Sequence, residues 1–147
     1  MKASYIESIE TWAQDFSFST EVRVRFSETD MYGHLNNTVP FTYFEMARIE
    51  FLKHLNINGW QSTTSEKIPV VADLQCDFLQ QVFFDELLKI SVKCAKVGTS
   101  SIDLHYFAVN VKGTPVFVGR GTIVQINKNT GKPSPWTDEE KQLLLGK

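Results

Sequence analysis

Apolar and polar positions follow two rhythms along this chain, and the rhythm changes near residue 70. Glu21-Val22-Arg23-Val24-Arg25-Phe26 alternates charged and apolar side chains, the period of a half-buried strand over 21–26. Residues 1–18 read as a lead-in with a helical turn around 9–16. After a polar loop at 27–38 the period lengthens. Phe41, Phe44, Ala47, Phe51 and Leu55 recur three or four positions apart, which predicts a helix over 39–55 with one apolar face. Tyr43, Met46, Ile49 and Leu52 widen that face, so the helix should be covered on more than one side. Asn37 or Thr38 can cap it, and Pro40 suits the first turn, where a missing N–H costs nothing. Glu45 with Arg48 and Glu50 with Lys53 are spaced to pair on an exposed arc. Asn58-Gly59 signals the closing turn.

From residue 70 onward the period is two. Val70, Ala72, Leu74, Cys76 and Phe78 share one face of a strand, as do Leu88, Ile90, Val92 and Cys94, and Ile102, Leu104, Tyr106 and Ala108. A fourth run places Val116, Val118, Thr122, Val124 and Ile126 together, with Gly119 and Gly121 on the opposite face, where another backbone approaches or a bulge forms. Gly98-Thr99-Ser100 and Lys112-Gly113-Thr114 are turn sequences. A short helix from Thr137 to Leu144, capped by Thr137 or Asp138, closes the chain. Strand, long helix, then four strands predicts an α+β fold: one curved antiparallel sheet of about five strands wrapped around a central helix.

Composition narrows the function. The 147 residues are 42% hydrophobic and 22% charged, with a formal net charge of −2, which suits one domain over 1–147 and argues against a nucleic-acid partner. No apolar run reaches the roughly 18 residues of a membrane helix, and the N-terminus lacks a signal-peptide core. No membrane partner and a cytoplasmic location are expected. Cys76 and Cys94 fall in different strands, as reduced core thiols rather than a disulfide framework. His34, His54 and His105 have no metal-ligand spacing, so no metal is expected. His105 is expected on a strand face and His54 at a solvated helix end. Neither a nucleophile elbow nor a phosphate-binding glycine loop is present.

The chemistry-bearing stretch is Phe26-Ser27-Glu28-Thr29-Asp30-Met31-Tyr32-Gly33-His34-Leu35-Asn36-Asn37, between strand and helix. A carboxylate beside the unpaired N–H groups of a helix start can act on a carbonyl whose oxygen those donors hold. Gly33 permits the tight backbone turn. Asp30 is the candidate acid; its other reading is a turn stabiliser working through its own side chain. His34 can hydrogen-bond substrate or water, or order the loop. Asn36 is expected to bond backbone groups in the loop.

Asp30-Met31-Tyr32-Gly33-His34-Leu35-Asn36-Asn37, followed by Phe44-Glu45-Met46-Ala47-Arg48, resembles the signature of hotdog-fold thioesterases of the 4-hydroxybenzoyl-CoA thioesterase type. The resemblance runs from about Val22 to Asn127. It implies a hotdog fold in which Asp30 is nucleophile or general base on a thioester and the backbone N–H of Asn37 polarises the carbonyl. It further implies that Gly98, Thr99, Ser100 and Ser101 form a turn near the pantetheine and phosphate end of coenzyme A. Coenzyme A would then be part of the substrate and no separate cofactor would be needed. Relatives pair two sheets, which implies a homodimer or tetramer. Pro40 stands where many relatives have tyrosine. Gln81 and Asp85 stand where a proline and a glycine often frame a loop, and Asp85 can take up the left-handed conformation the glycine would supply. The expected activity is acyl-CoA hydrolysis. The alternatives are an acyl-carrier-protein thioesterase, whose docking patch Arg23, Arg25, Lys93, Lys96 and Lys112 could supply, and a non-catalytic protein binding an acyl or aromatic ligand.

Overall fold

A computed structural model describes residues 3–57 and 65–147; the turn expected at Asn58-Gly59 lies outside them. The elements run α1 (Ile9–Gln14), β1 (Phe18–Arg23), a 3-10 turn (Phe26–Glu28), α2 (Val39–His54), β2 (Lys67–Phe78), β3 (Leu87–Val97), β4 (Ser101–Val109), β5 (Pro115–Asn127) and α3 (Asp138–Leu144). The five strands make one antiparallel sheet in the order β1-β3-β4-β5-β2. The sheet wraps around α2, which is the expected α+β hotdog arrangement. β1 and β2 are its two edges.

Helix α2 buries Tyr43, Phe44, Ala47, Phe51 and Leu52, the three-and-four spacing read from the sequence. Phe44 is the centre of the packing. Its ring stacks on Tyr106 with centroids 4.4 Å apart and meets Phe117 edge-on. Gly119 makes room for it: a Cβ there would collide with Phe44 Cε2 and lie 2.8 Å from the Gln75 carbonyl. The expected close approach at this glycine is therefore a helix side chain as well as the neighbouring strand.

Four details differ from expectation. The first strand begins and ends three residues earlier than 21–26. Arg25 N–H donates to Glu28 Oε1, and this local bond turns the chain out of the ladder before Phe26. In β5 the face towards α2 carries Phe117 and Gly119, while Val118 lies on the outer face, buried by Ala3 and Trp12. Both faces are covered, so apolar alternation could not say which one meets the helix. Met46 remains exposed. Arg48 is buried instead of sitting on an exposed arc; its guanidinium reaches the Tyr106 hydroxyl at 3.4 Å and Glu45 at 3.8 Å.

The outer face of the sheet is roofed by the N-terminal segment. Trp12 contacts Phe107 and Phe16 edge-on, with Tyr5, Ile6 and Ile9 packed alongside. Trp12 Nε1–H donates to His105 Nδ1 at 2.9 Å, and His105 Nε2 lies 3.2 Å from Asp103 Oδ2. Because Nδ1 accepts, the imidazole proton sits on Nε2 and points at Asp103. Arg120 pairs with Asp103 at 2.7 Å and with Asp73 at 3.4 Å. Lys93 Nζ donates to the Trp12 carbonyl and pairs with Asp15.

Candidate functional site

The loop after the 3-10 turn is a tight reversal built by its own polar groups. Asp30 N–H donates to the His34 carbonyl and Gly33 N–H to the Asp30 carbonyl. Asp30 Oδ1 accepts from Tyr32 N–H at 2.9 Å and from His34 N–H at 3.2 Å. Gly33 sits at φ +82°, a conformation glycine adopts without a Cβ penalty. The turn-stabilising reading of Asp30 thus holds for one oxygen, and Oδ2 is the oxygen the turn does not use. The His34 ring packs edge-on against Phe83, 5.2 Å between centroids.

Asn36 does what its residue type suggested, and more. Its Oδ1 accepts from both the N–H and the hydroxyl of Thr38, and its own N–H donates to the Glu28 carbonyl at 2.8 Å. The N-cap position of α2 is Thr38, whose side chain makes no capping bond. Asn37 is not the cap: it precedes Thr38 and is solvent-exposed. Within 36–39, the N–H groups of Asn36, Thr38 and Val39 are taken up by Glu28 O, Asn36 Oδ1 and Asn36 O. The Asn37 N–H remains outside that set.

Asp30, His34 and Asn37 line one cleft of about 360 Å³ with Leu35, Phe78, Leu79, Gln80, Gln81, Val82 and Phe117. The second wall comes from the β2–β3 connection, some 45 positions downstream. It is pinned to the first by Leu35 N–H donating to the Val82 carbonyl at 2.7 Å. Asp85 takes φ +70°, the left-handed conformation expected there. In the two segments that supply the cleft walls, Phe26, Met31, Tyr32, Phe78, Phe83 and Phe84 are all exposed, Met31 by 86%.

Gly98, Thr99, Ser100 and Ser101 are not part of this cleft. They form the β3–β4 turn, closed by Gly98 N–H to the Ser101 carbonyl at 2.7 Å. Trp136 covers it, donating its N–H to Thr99 O and its indole N–H to Ser101 O. The Asp30 loop lies at the Leu87 end of β3 and this turn beyond Val97. Eleven residues separate them, a strand length of about 33 Å.

Sequence reasoning passed over Glu28 and Tyr43. Glu28 is only 9% exposed, and Tyr43 donates its hydroxyl to Glu28 Oε1 at 2.8 Å. Burial works to raise the Glu28 pKa. Hydrogen bonds from Arg25 N–H, Tyr43 and the Arg25 guanidinium outweigh it and hold the carboxyl below its ordinary value. Burial and the bond to Glu28 push Tyr43 well above the usual phenol range. The available signal was an acid two residues ahead of Asp30. The basic residues suggested as a docking patch are partly committed: Arg23 to Asp85, Arg25 to Glu28 and Lys93 to Asp15. Burial pushes Cys76 and Cys94 up to about 12, so both are protonated thiols near neutrality. Among the described residues no group of three or more His, Cys, Asp or Glu side chains is placed to hold a metal ion, and no helix is long and apolar enough to cross a membrane.

The chain is similar to several known proteins. It is 48% identical over 143 residues, covering 97% of this chain and 95% of the relative, to the uncharacterized protein YsmA of Bacillus subtilis. It is 25% identical over 122 residues to the acyl-CoA thioesterase YbgC of Haemophilus influenzae, covering 82% of this chain and 88% of that one. The crystal structure of DHNA-CoA thioesterase from Staphylococcus aureus superposes with a TM-score of 0.74 at 25% identity, over 80% of this chain and 78% of that one. The profile of the thioesterase-like superfamily matches residues 24–144, a span that holds the acid loop, α2 and both walls of the cleft. This chain belongs to the thioesterase-like superfamily.

Proposed function

We propose that this protein is an acyl-CoA thioesterase, hydrolysing a thioester to a free acid and the coenzyme A thiol. The observation that carries the reading is the shared cleft: Asp30 and Asn37, the latter next to a helix start, line one partly apolar space, and among the described residues the Asn37 N–H has no acceptor. The name of the Haemophilus relative supports the substrate class.

In the proposed reaction the thioester carbonyl lies between Asp30 and Asn37. Either Asp30 Oδ2 attacks the carbonyl carbon, or it takes a proton from a water that attacks. In both routes the carbonyl oxygen becomes an oxyanion held by the Asn37 N–H, a stabilisation often worth ~3 kcal/mol. Collapse breaks the C–S bond and the thiolate leaves, taking up a proton. On the nucleophilic route, water then hydrolyses the acyl–Asp30 anhydride. The reaction uses the thioester, water and protein groups, with no further cofactor. His34, held against Phe83, would hydrogen-bond substrate or water, and Gly33 would keep the loop tight.

The reading also calls for a second copy of the chain. Among the described residues no strand pairs with the outer side of β1 or β2, bare edges invite pairing, and the segments that supply the cleft walls expose several aromatic side chains. The Gly98–Ser101 turn, too far along β3 to serve the cleft of its own chain, would then meet the coenzyme A of the partner's cleft. Light scattering at micromolar concentration should give a homodimer or tetramer; a fully active monomer would refute this part.

Asp30→Asn tests the chemistry. It should lower hydrolysis by at least about a hundredfold with circular dichroism unchanged, measured by thiol release over short, long and aromatic acyl-CoAs. Inserting one alanine between Asn36 and Asn37 should be comparably damaging, whereas Asn37→Ala should cost little because the proposed donor is main chain. If Asp30→Asn retains activity within a few-fold of wild type on the best substrate, the assignment fails. If no acyl-CoA is turned over but acyl-carrier-protein thioesters are, the carrier-protein alternative replaces it. If neither is turned over, the ligand-binding alternative does.

A further inference from the structure

Between the acid loop and the helix lies a buried acid–phenol pair, neither residue of which lines the cleft. Glu28 joins three pieces of chain. Its Oε1 accepts from Arg25 N–H and from the Tyr43 hydroxyl, each at 2.8 Å. Its Oε2 pairs with Arg25 Nη2 at 3.3 Å. Its main-chain carbonyl accepts from Asn36 N–H at 2.8 Å. The residue therefore grips the turn that leads into Asp30, the peptide just ahead of Asn37, and the second turn of α2. Tyr43 is 1% exposed, so its hydroxyl has little freedom to choose another partner.

A buried carboxylate is expensive to keep, and apolar packing of the same shape is often at least as stable. What a charged, short hydrogen bond adds is direction and length. The distance between Asp30 and the Asn37 N–H is the dimension that thioester chemistry depends on, and Glu28 spans the two segments that set it. Packing alone does not define it, because the loop itself is largely exposed: Met31, Tyr32 and Gly33 all face solvent.

We propose that Glu28 and Tyr43 are a positioning pair that fixes the spacing between Asp30 and the Asn37 N–H, and so governs turnover without contacting substrate. The proposal rests on the thioesterase reading above.

The test uses the full-length protein and the acyl-CoA on which it is most active, with Glu28→Gln, Tyr43→Phe, the double variant and Asp30→Asn assayed in parallel. Each single variant should lower kcat by about tenfold while KM stays within about threefold, the signature of an interaction that matters only in the transition state. The double variant should be no slower than the worse single, because both changes act on the same Tyr43–Glu28 bond, one by removing its donor and the other by removing the acceptor's charge. Nitrogen-15 NMR supplies a readout independent of activity: Tyr43→Phe should shift the amide resonances of Asp30 and Asn37. Glu28→Gln keeps shape and an acceptor, so it covers the case in which Tyr43→Phe does not fold. Unchanged kcat in both singles, with Asp30→Asn inactive, would overturn the positioning role and leave the chemistry standing. An active Asp30→Asn would overturn the chemistry, and the amide shifts would then decide the spacing claim alone: unmoved resonances refute it, displaced ones uphold it.

Discussion

The two faces of the sheet are held by different physics. Towards α2 the contacts are dry and close: Phe44 on Tyr106, Phe117 beside it, and a glycine cut away to admit the ring. Outward, under the N-terminal segment, aromatic rings share the surface with a chain of ionisable groups running from Asp73 through Arg120, Asp103 and His105 to Trp12. The inner face gains stability from packing, which is indifferent to protons. The outer face gains part of its stability from one protonation state of one imidazole.

Three measurements would break or sharpen this contrast. Phe44→Ala should have the largest effect, since it removes the ring at the centre of the inner face. A loss of about 3–5 kcal/mol is expected from urea unfolding; less than about 1 kcal/mol would show that the inner face does not depend on that ring. Gly119→Ala should come next. Its Cβ would meet both Phe44 Cε2 and the Gln75 carbonyl, and overpacking against backbone costs about 1–3 kcal/mol. A wild-type midpoint would mean that helix and sheet can separate without penalty.

The smallest effect is the pH dependence of the outer face. Burial lowers the His105 pKa and its neighbours Lys93 and Arg120 lower it further, while Asp103 works the other way; the result lies below the ordinary 6.5. The unfolded chain therefore binds this proton more readily than the folded one. The stability associated with neutral His105 is complete above pH 6.5 and is lost as pH falls towards the lowered folded value. The protonated ring would also present a second donor to the Trp12 indole N–H and forfeit that bond. The urea midpoint should fall between pH 7.5 and 5.5, and fall less in His105→Gln, whose amide can still accept from Trp12. Phe44→Leu should keep the wild-type pH slope. Equal slopes in wild type and His105→Gln would remove His105 from the account.

How much of this was legible in the sequence varies with the reach of each interaction. Helix α2 was readable because its apolar spacing is internal to 16 consecutive residues. The Asp30 reversal was readable because glycine and Asx residues write their turn chemistry locally. The β5 face was not, since Val116, Phe117 and Val118 are all apolar and each face has its own cover. The second wall of the cleft, Phe78 to Val82, was invisible because only the strand order brings it to Asp30. Glu28 was obscured by its setting: a charged residue among others gives no sign that it is buried until Tyr43 is seen to arrive from the helix.

The strand order has a consequence for how the chain is made. β1 must wait for β3, β2 must wait for β5, and Trp12 finds His105 across 93 positions. Only β3, β4 and β5 pair with their neighbours in sequence. During synthesis from the N-terminus, the first half emerges with two strands and an apolar helix that have no partners yet. On this topology the last-made strands are expected to pair first, with the first-made segments docking on them from both edges and from outside. Long-range closure of this kind slows folding and leaves apolar surface uncovered until β5 has left the ribosome. A truncation that removed β5 would leave β2 without its partner strand and Phe44 without Phe117, and so should aggregate rather than fold in part.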